Sequence, residues 1–215
     1  MSPRRAQAVL DTDGDPAAAL REHLVDTAEA LLAERQVNTI TTRDIARAAN
    51  VSDGVLYNYF ADKNELLLTA LVRRFTELVE RLRTEMPEPG SGTVDANLRL
   101  VAGALYDLHA AAFPIVGSLL AEPALLHRFM AAIHSTDGPL GGRQIRDTVV
   151  AYVVAEQKRG RLARADPGAA ADLLIGATAT LVFTGHLGEG PDPVERLPAV
   201  VDTLIRGLAP QRRKR

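Results

Sequence analysis

Between residues 41 and 63 the chain reads TTRDIARAANVSDGVLYNYFADK, and no other stretch constrains the fold as much. It spells a helix, a tight turn, a second short helix and the start of a third. Thr41 has the chemistry of an N-cap, and Asp44, three residues on, can complete an approximate capping box. Ile45, Ala46 and Ala49 set an apolar edge at helical spacing. Asn50 follows, the non-glycine side chain that best tolerates a left-handed turn. Val51 can plug the angle between two helices. Ser52 can cap the next helix, expected to run through Val55, Leu56 and Tyr57 to about Phe60. Asp62, with Glu65 three residues later, offers a better capping box for the third helix. Such a corner is a helix-turn-helix, which lays its second helix in the DNA major groove.

The rest of the chain also reads as helix. Asp15-Pro16 is a capping residue with proline at the first helical position, and Leu20, Leu24, Ala28 and Leu31 repeat at helical spacing to about Arg35. A long helix from Lys63 carries Leu67, Leu71, Phe75, Leu78 and Leu82. Pro87, Pro89, Gly90 and Gly92 then mark a boundary. Residues 93 to about 112 form a helix with Leu98, Val101, Leu105 and Leu108 on one side. Phe113-Pro114 is expected to break it, leaving a short helix over 115–120 and another over 123–134. After the turn-rich STDGPLGG, a helix over 143–159 puts Ile145, Val149, Val153 and Glu156 on one face, and Gly160 is placed to end it. Asp166-Pro167 and Asp192-Pro193 start the last two helices. The first of these is apolar all round, so it must be buried on more than one side. The second carries the stripe Val194, Leu197, Val201, Leu204 and Leu208. Residues 1–15 read as a flexible arm. Its Arg4 and Arg5 suit either a DNA contact or an ordinary terminus. Residues 210–215 form a basic tail.

Composition narrows the function classes. With 47% hydrophobic residues among 215 but only 4% aromatics and no Trp, the core must be built mostly from Ala, Leu and Val. No segment alternates with period two, so the fold class is all-α, with about nine to ten helices. Absence of Cys excludes disulfides and thiolate metal sites. His23, His109, His127, His134 and His186 include no pair at the spacing of a helical zinc site. No glycine-rich phosphate loop or nucleophile elbow occurs, so an enzyme and a bound cofactor are not expected. Arg4 and Arg5 lead into no long apolar segment, and no run of about 20 apolar residues suggests a membrane span, so a cytoplasmic protein without a membrane partner is expected. The net charge of −2 does not announce a nucleic-acid binder. In the corner itself Arg43, Arg47 and Lys63 oppose Asp44, Asp53 and Asp62, so the DNA reading rests on motif geometry.

Thr41, Asp44, Ile45, Ala46, Val51, Ser52, Leu56, Tyr57, Phe60 and Lys63 stand in the register of a known pattern. The segment over about 20–70 resembles the DNA-binding domain of the TetR family of transcriptional regulators. The resemblance implies a helix-turn-helix domain with its linking helix over 16–85, and a helical effector-binding and dimerisation domain over 93–209. It implies a homodimer on a palindromic double-stranded DNA operator, acting as a repressor released by a mostly apolar small-molecule effector.

The DNA-facing set is then Thr41, Thr42, Arg43, Ser52, Asp53, Gly54, Val55, Tyr57, Asn58, Tyr59 and Lys63. Arg43 can reach a base or a phosphate, Gly54 lets the backbone approach closely, and Val55 can touch a thymine methyl. Lys63 sits in a helical first turn, where a phosphate would offset its unfavourable meeting with the helix dipole. Tyr57 and Tyr59 belong, by resemblance, to phosphate contact. Core packing with the hydroxyl at the rim is the plainer reading of Tyr57. Position 53 departs from the family, where a base is common. Asp53 could accept from a cytosine amine or serve as a cap beside Ser52. Position 50 departs too, with Asn for the usual Gly.

The implied ligand cavity draws on Leu105, Tyr106, His109, Phe113, Leu119, Phe129, Tyr152 and Phe183. The implied dimer interface draws on Ala170, Leu174, Ala177, Leu181, Leu197, Val201, Leu204 and Leu208 of the last two helices. A DNA-binding regulator without a ligand, and an all-α interaction module or enzyme with an incidental helix-turn-helix corner, stay open as alternatives.

Overall fold

The computed structural model describes residues 15–134 and 142–207. Arg4, Arg5, the loop over 135–141, Leu208 and the basic tail lie outside the described residues. Among the described residues the regular elements are all helical, nine α-helices and one short 3-10 turn. They are α1 (Pro16–Glu34), the turn Val37–Thr39, α2 (Thr42–Ala48), α3 (Asp53–Leu56), α4 (Lys63–Glu85), α5 (Val94–Leu120), α6 (Pro123–His134), α7 (Gly142–Lys158), α8 (Pro167–His186) and α9 (Pro193–Arg206).

Local chemistry sets most of the boundaries. Asp15, Asp166 and Asp192 each accept from backbone N–H groups of the helix they open, and each is followed by proline. Gly160 takes φ +70° after α7, as a C-terminal glycine should. Two expectations fail. α3 ends at Leu56, well before Phe60, because the next N–H groups tighten onto carbonyls three residues back: Asn58 donates to Val55 and Tyr59 to Leu56, both at 3.1 Å. α5 runs straight through Pro114 instead of breaking there. Proline deletes one helical hydrogen bond, at a cost of about 3 kcal/mol. Burial of Leu108, Ala112, Ile115 and Leu119 on either side outweighs it.

The chain divides into two compact units. One holds residues 15–77 and 114–134, the other 78–113 and 142–207. The first unit is cored by Leu24, Val25, Ala28, Ile40, Ile45, Leu56, Leu66, Leu67 and Phe129. Phe129 of α6 meets Phe75 of α4 edge-on, with ring centroids 5.7 Å apart. Arg73 of α4 donates to three carboxylates of α1: Glu29 (2.8 Å), Asp26 (2.6 Å) and Glu22 (3.0 Å).

In the second unit, α7 and α8 pack along each other, joined by Arg146 and Asp172 (2.7 Å). Its centre includes a buried charge. Glu156 is fully buried on the face it shares with Ile145, Val149 and Val153. Its Oε1 accepts from Gly90 N–H (3.0 Å) and the Tyr152 hydroxyl (3.1 Å), and Arg161 Nε stands 3.2 Å from its Oε2. Burial pushes the Tyr152 phenol up to about 12.

α5 and α8 each have the length and mean hydropathy (1.4) that could cross a membrane, contrary to the expectation that no such stretch exists. Both bury residues within the helical body, α5 through Leu98, Val101 and Leu105 and α8 through Ala171, Leu174 and Thr178.

Candidate nucleic-acid interface

The corner is built by reciprocal caps and two tertiary ties. Thr41 Oγ1 accepts from Asp44 N–H (3.2 Å), and Asp44 Oδ2 accepts from both the N–H (2.9 Å) and the hydroxyl (2.7 Å) of Thr41. These bonds, with Arg35 3.4 Å away, hold the Asp44 carboxyl below its usual range. The Thr41 hydroxyl proton is thus engaged within the protein. Asn50 adopts φ +55°, the left-handed turn its side chain tolerates, and Val51 N–H donates back to Ala46 O at 2.9 Å. The corner is braced from α1 by His23, whose Nε2 lies 3.1 Å from Ala49 O. Nothing in the sequence flags that pairing, which spans 26 positions.

The DNA-facing set then sorts by exposure. Leu56 and Phe60 are buried, and Arg21 lies over the Phe60 ring at 4.9 Å. Ser52, Asp53, Gly54, Asn58 and Arg43 are exposed, while Thr42, Val55 and Tyr59 are half-buried. Ser52 occupies the N-cap position but makes no side-chain cap bond, contrary to expectation. Tyr57 is 57% exposed, so it is not a core residue with a wet rim. A Cβ on Gly54 would meet nothing within 4 Å, so packing within the chain does not require glycine there. Lys63 reaches across the domain, its Nζ donating to Ile40 O at 2.8 Å. Asp62 Oδ1 caps Glu65 N–H (2.7 Å), and Glu65 returns to Ala61 N–H (2.6 Å) in place of Asp62.

Residues 24–70, which contain this whole corner, match the family model described as bacterial regulatory proteins, tetR family. Over these residues the chain is similar to the TetR family. Among curated relatives it is 35% identical over 106 residues to the HTH-type transcriptional repressor LfrR of Mycolicibacterium smegmatis, a match covering 49% of this chain and 52% of that protein. It is 28% identical over 87 residues to the fatty acid metabolism regulator protein of Bacillus subtilis, covering 40% and 44%. The matched segments thus span about half the length of these relatives. The whole fold is shared more widely. The Bacillus subtilis regulator FadR, solved with stearoyl-CoA, superposes with TM-score 0.60 at 18% identity over 87% of this chain and 99% of that one. A Rhodococcus sp. RHA1 protein of unknown function superposes with TM-score 0.65 at 23% identity over 94% and 99%.

Of the eight expected ligand residues, six lie in the second unit and two, Leu119 and Phe129, in the first. In the second unit His109 Nδ1 lies 3.0 Å from Thr178 Oγ1, and Phe113 stacks on His186 (4.0 Å) with Phe183 at its edge (6.3 Å). Burial holds the His109 imidazolium below its usual range. Tyr152 points instead to Glu156. Leu105 is buried and Tyr106 half-buried in this unit, while Leu119 and Phe129 are core residues of the other.

The expected interface residues also divide. Leu174, Leu181 and Val201 are buried within the chain, so they form its own core. Ala170, Ala177, Leu197 and Leu204 are half-buried. The large apolar side chains left open on α8, its C-cap and α9 are Leu173, Phe183, Leu187, Val194 and Ile205. A groove of about 410 Å³ runs between these helices, lined by Leu173, Ala177, Arg196, Val200 and Leu204 among others. Both helices carry apolar residues on more than one side, so periodicity alone did not separate the two faces.

Proposed function

We propose that this chain is a homodimeric transcriptional repressor, released from a palindromic operator by a mostly apolar small molecule. The observation that carries the reading is the capped corner of α2 and α3. It is fixed by Thr41, Asn50 and His23 while Asp53, Gly54, Tyr57 and Asn58 stay open to a groove. α3 brings its first residues to base edges, Tyr57 and Tyr59 offer hydroxyls to phosphates, and Lys63 keeps ammonium protons beyond the one given to Ile40. Dimerisation uses Leu173, Leu187 and Val194, which α8 and α9 leave uncovered, and a two-fold pair of heads matches two half-sites. The effector acts by binding one head spacing more tightly than the other. Two relatives support a ligand of this kind, one solved with stearoyl-CoA and one called a flavonoid-responsive regulator.

The test is a gel shift of purified protein against DNA from upstream of its own gene, at several salt concentrations. A shift that survives excess unrelated DNA is expected, and L173D should abolish it while the variant stays folded and sediments as a monomer. If genomic fragments selected at random also give no specific shift at any salt, the regulator reading fails.

A further inference from the structure

The reading helix is unusual in its charge. Between Arg47 and Lys63 the chain has no Lys or Arg at all, yet it places Asp53 in the first turn of α3. A bare carboxylate there faces the phosphates of any bound duplex and repels them. The sequence left two uses for it, a cap or a cytosine acceptor, and the structure supplies a third. Asp53 Oδ2 lies 3.9 Å from Nε of Arg43, and this is its only polar side-chain partner among the described residues. At that distance the pair is an electrostatic tether and not a hydrogen bond. Both groups are open to the groove side, Arg43 with 77% and Asp53 with 58% of the side chain exposed.

We propose, on the DNA-binding reading above, that Asp53 is a positioning residue that aims Arg43 at a guanine in each half-site. Asp53 draws the Nε edge of the guanidinium toward α3. The two Nη groups are then left to donate to O6 and N7 of one guanine, the bidentate pairing that arginine makes best. The tether also removes rotamer freedom from a long side chain before DNA arrives, and its paired charge weakens indiscriminate attraction to phosphate. Arg43 is therefore spent on specificity, and Asp53 decides how sharply.

The experiment selects binding sites from a randomised duplex library with the full chain as wild type, R43A, D53A and D53E. R43A identifies the base pair by losing its guanine preference about fivefold or more, the low end of what a bidentate contact supplies. D53A is expected to weaken preference at that same base pair about threefold, within the range of an exposed ion pair, while strengthening binding to unrelated duplex. D53E should recover part of the preference. A D53A change at a different base pair would make Asp53 a direct reader and overturn the proposal, as would no change in preference. A wild-type chain that enriches no sequence overturns the DNA-binding reading itself, a result distinct from any difference among variants.

Discussion

The α2–α3 corner and the α8–α9 pair are both helical, yet their sequences specify different things. In the corner each position has one use. Thr41 caps, Asn50 turns, Leu56 is buried and Tyr57 is open. In α8 neighbouring leucines take opposite roles, Leu174 fully buried and Leu173 63% exposed. The corner is read by local backbone chemistry, which needs only a few residues of context. The pair is read by which side finds a neighbour, which no window of sequence contains.

The contrast is broken most directly in α8. L174A should cost about 3 kcal/mol in urea unfolding, as large-to-small changes in a core do. That loss should not depend on protein concentration. L173A should instead lower Tm in a concentration-dependent way, because it weakens association and not the core. Equal behaviour of the two variants would show that the faces are misassigned. The buried charge comes next. R161A removes the cation beside Glu156 and should cost about 2 kcal/mol, and E156Q added to R161A should recover part of it by neutralising the stranded carboxylate. In the corner, T41A deletes one cap and should cost about 1 kcal/mol, seen as faster amide exchange in α2. Unchanged exchange with weaker DNA binding would assign Thr41 to phosphate instead.

The smallest effect concerns pH. Burial holds His109 below the ordinary imidazole value of about 6.5, so the unfolded chain takes up the proton first. The stability that neutral His109 contributes is complete above 6.5 and is lost as pH falls through the lower folded value. Thermal unfolding from about pH 7.5 to about pH 5 should show H109Q with a shallower decline than the wild type. Parallel profiles would exclude His109 as a source of the slope.

The DNA-binding corner, the all-helical class and most helix starts were legible, because Asp15-Pro16, Asp166-Pro167 and Asp192-Pro193 act through bonds of two or three residues' reach. Pro114 misled for the same reason. Its local rule is real, but burial on both sides of it is tertiary and prevailed. His23 on Ala49 was invisible. Glu156 was half-visible, since an acid on an apolar face signals a buried partner without naming it. Scattered aromatics gave the ligand set no register, and from it the structure pairs Phe113 with Phe183.

The segment over 87–93, so rich in Pro and Gly, looks like the place to cut this protein in two. The structure makes it a poor one. Arg161 Nη2 donates to Ser91 O (3.0 Å) and Gly92 O (2.8 Å), Asn97 Nδ2 donates to Ser91 O (2.9 Å), and Gly90 N–H sits on Glu156. A protease needs a strand it can draw out, and here it would first have to pull an amide from a buried carboxylate. Subtilisin should therefore leave this connector intact while it stays hitched to α7. A truncation that starts the chain at residue 94 would discard the lash and leave its cleat, Glu156, standing with nothing tied to it from that side.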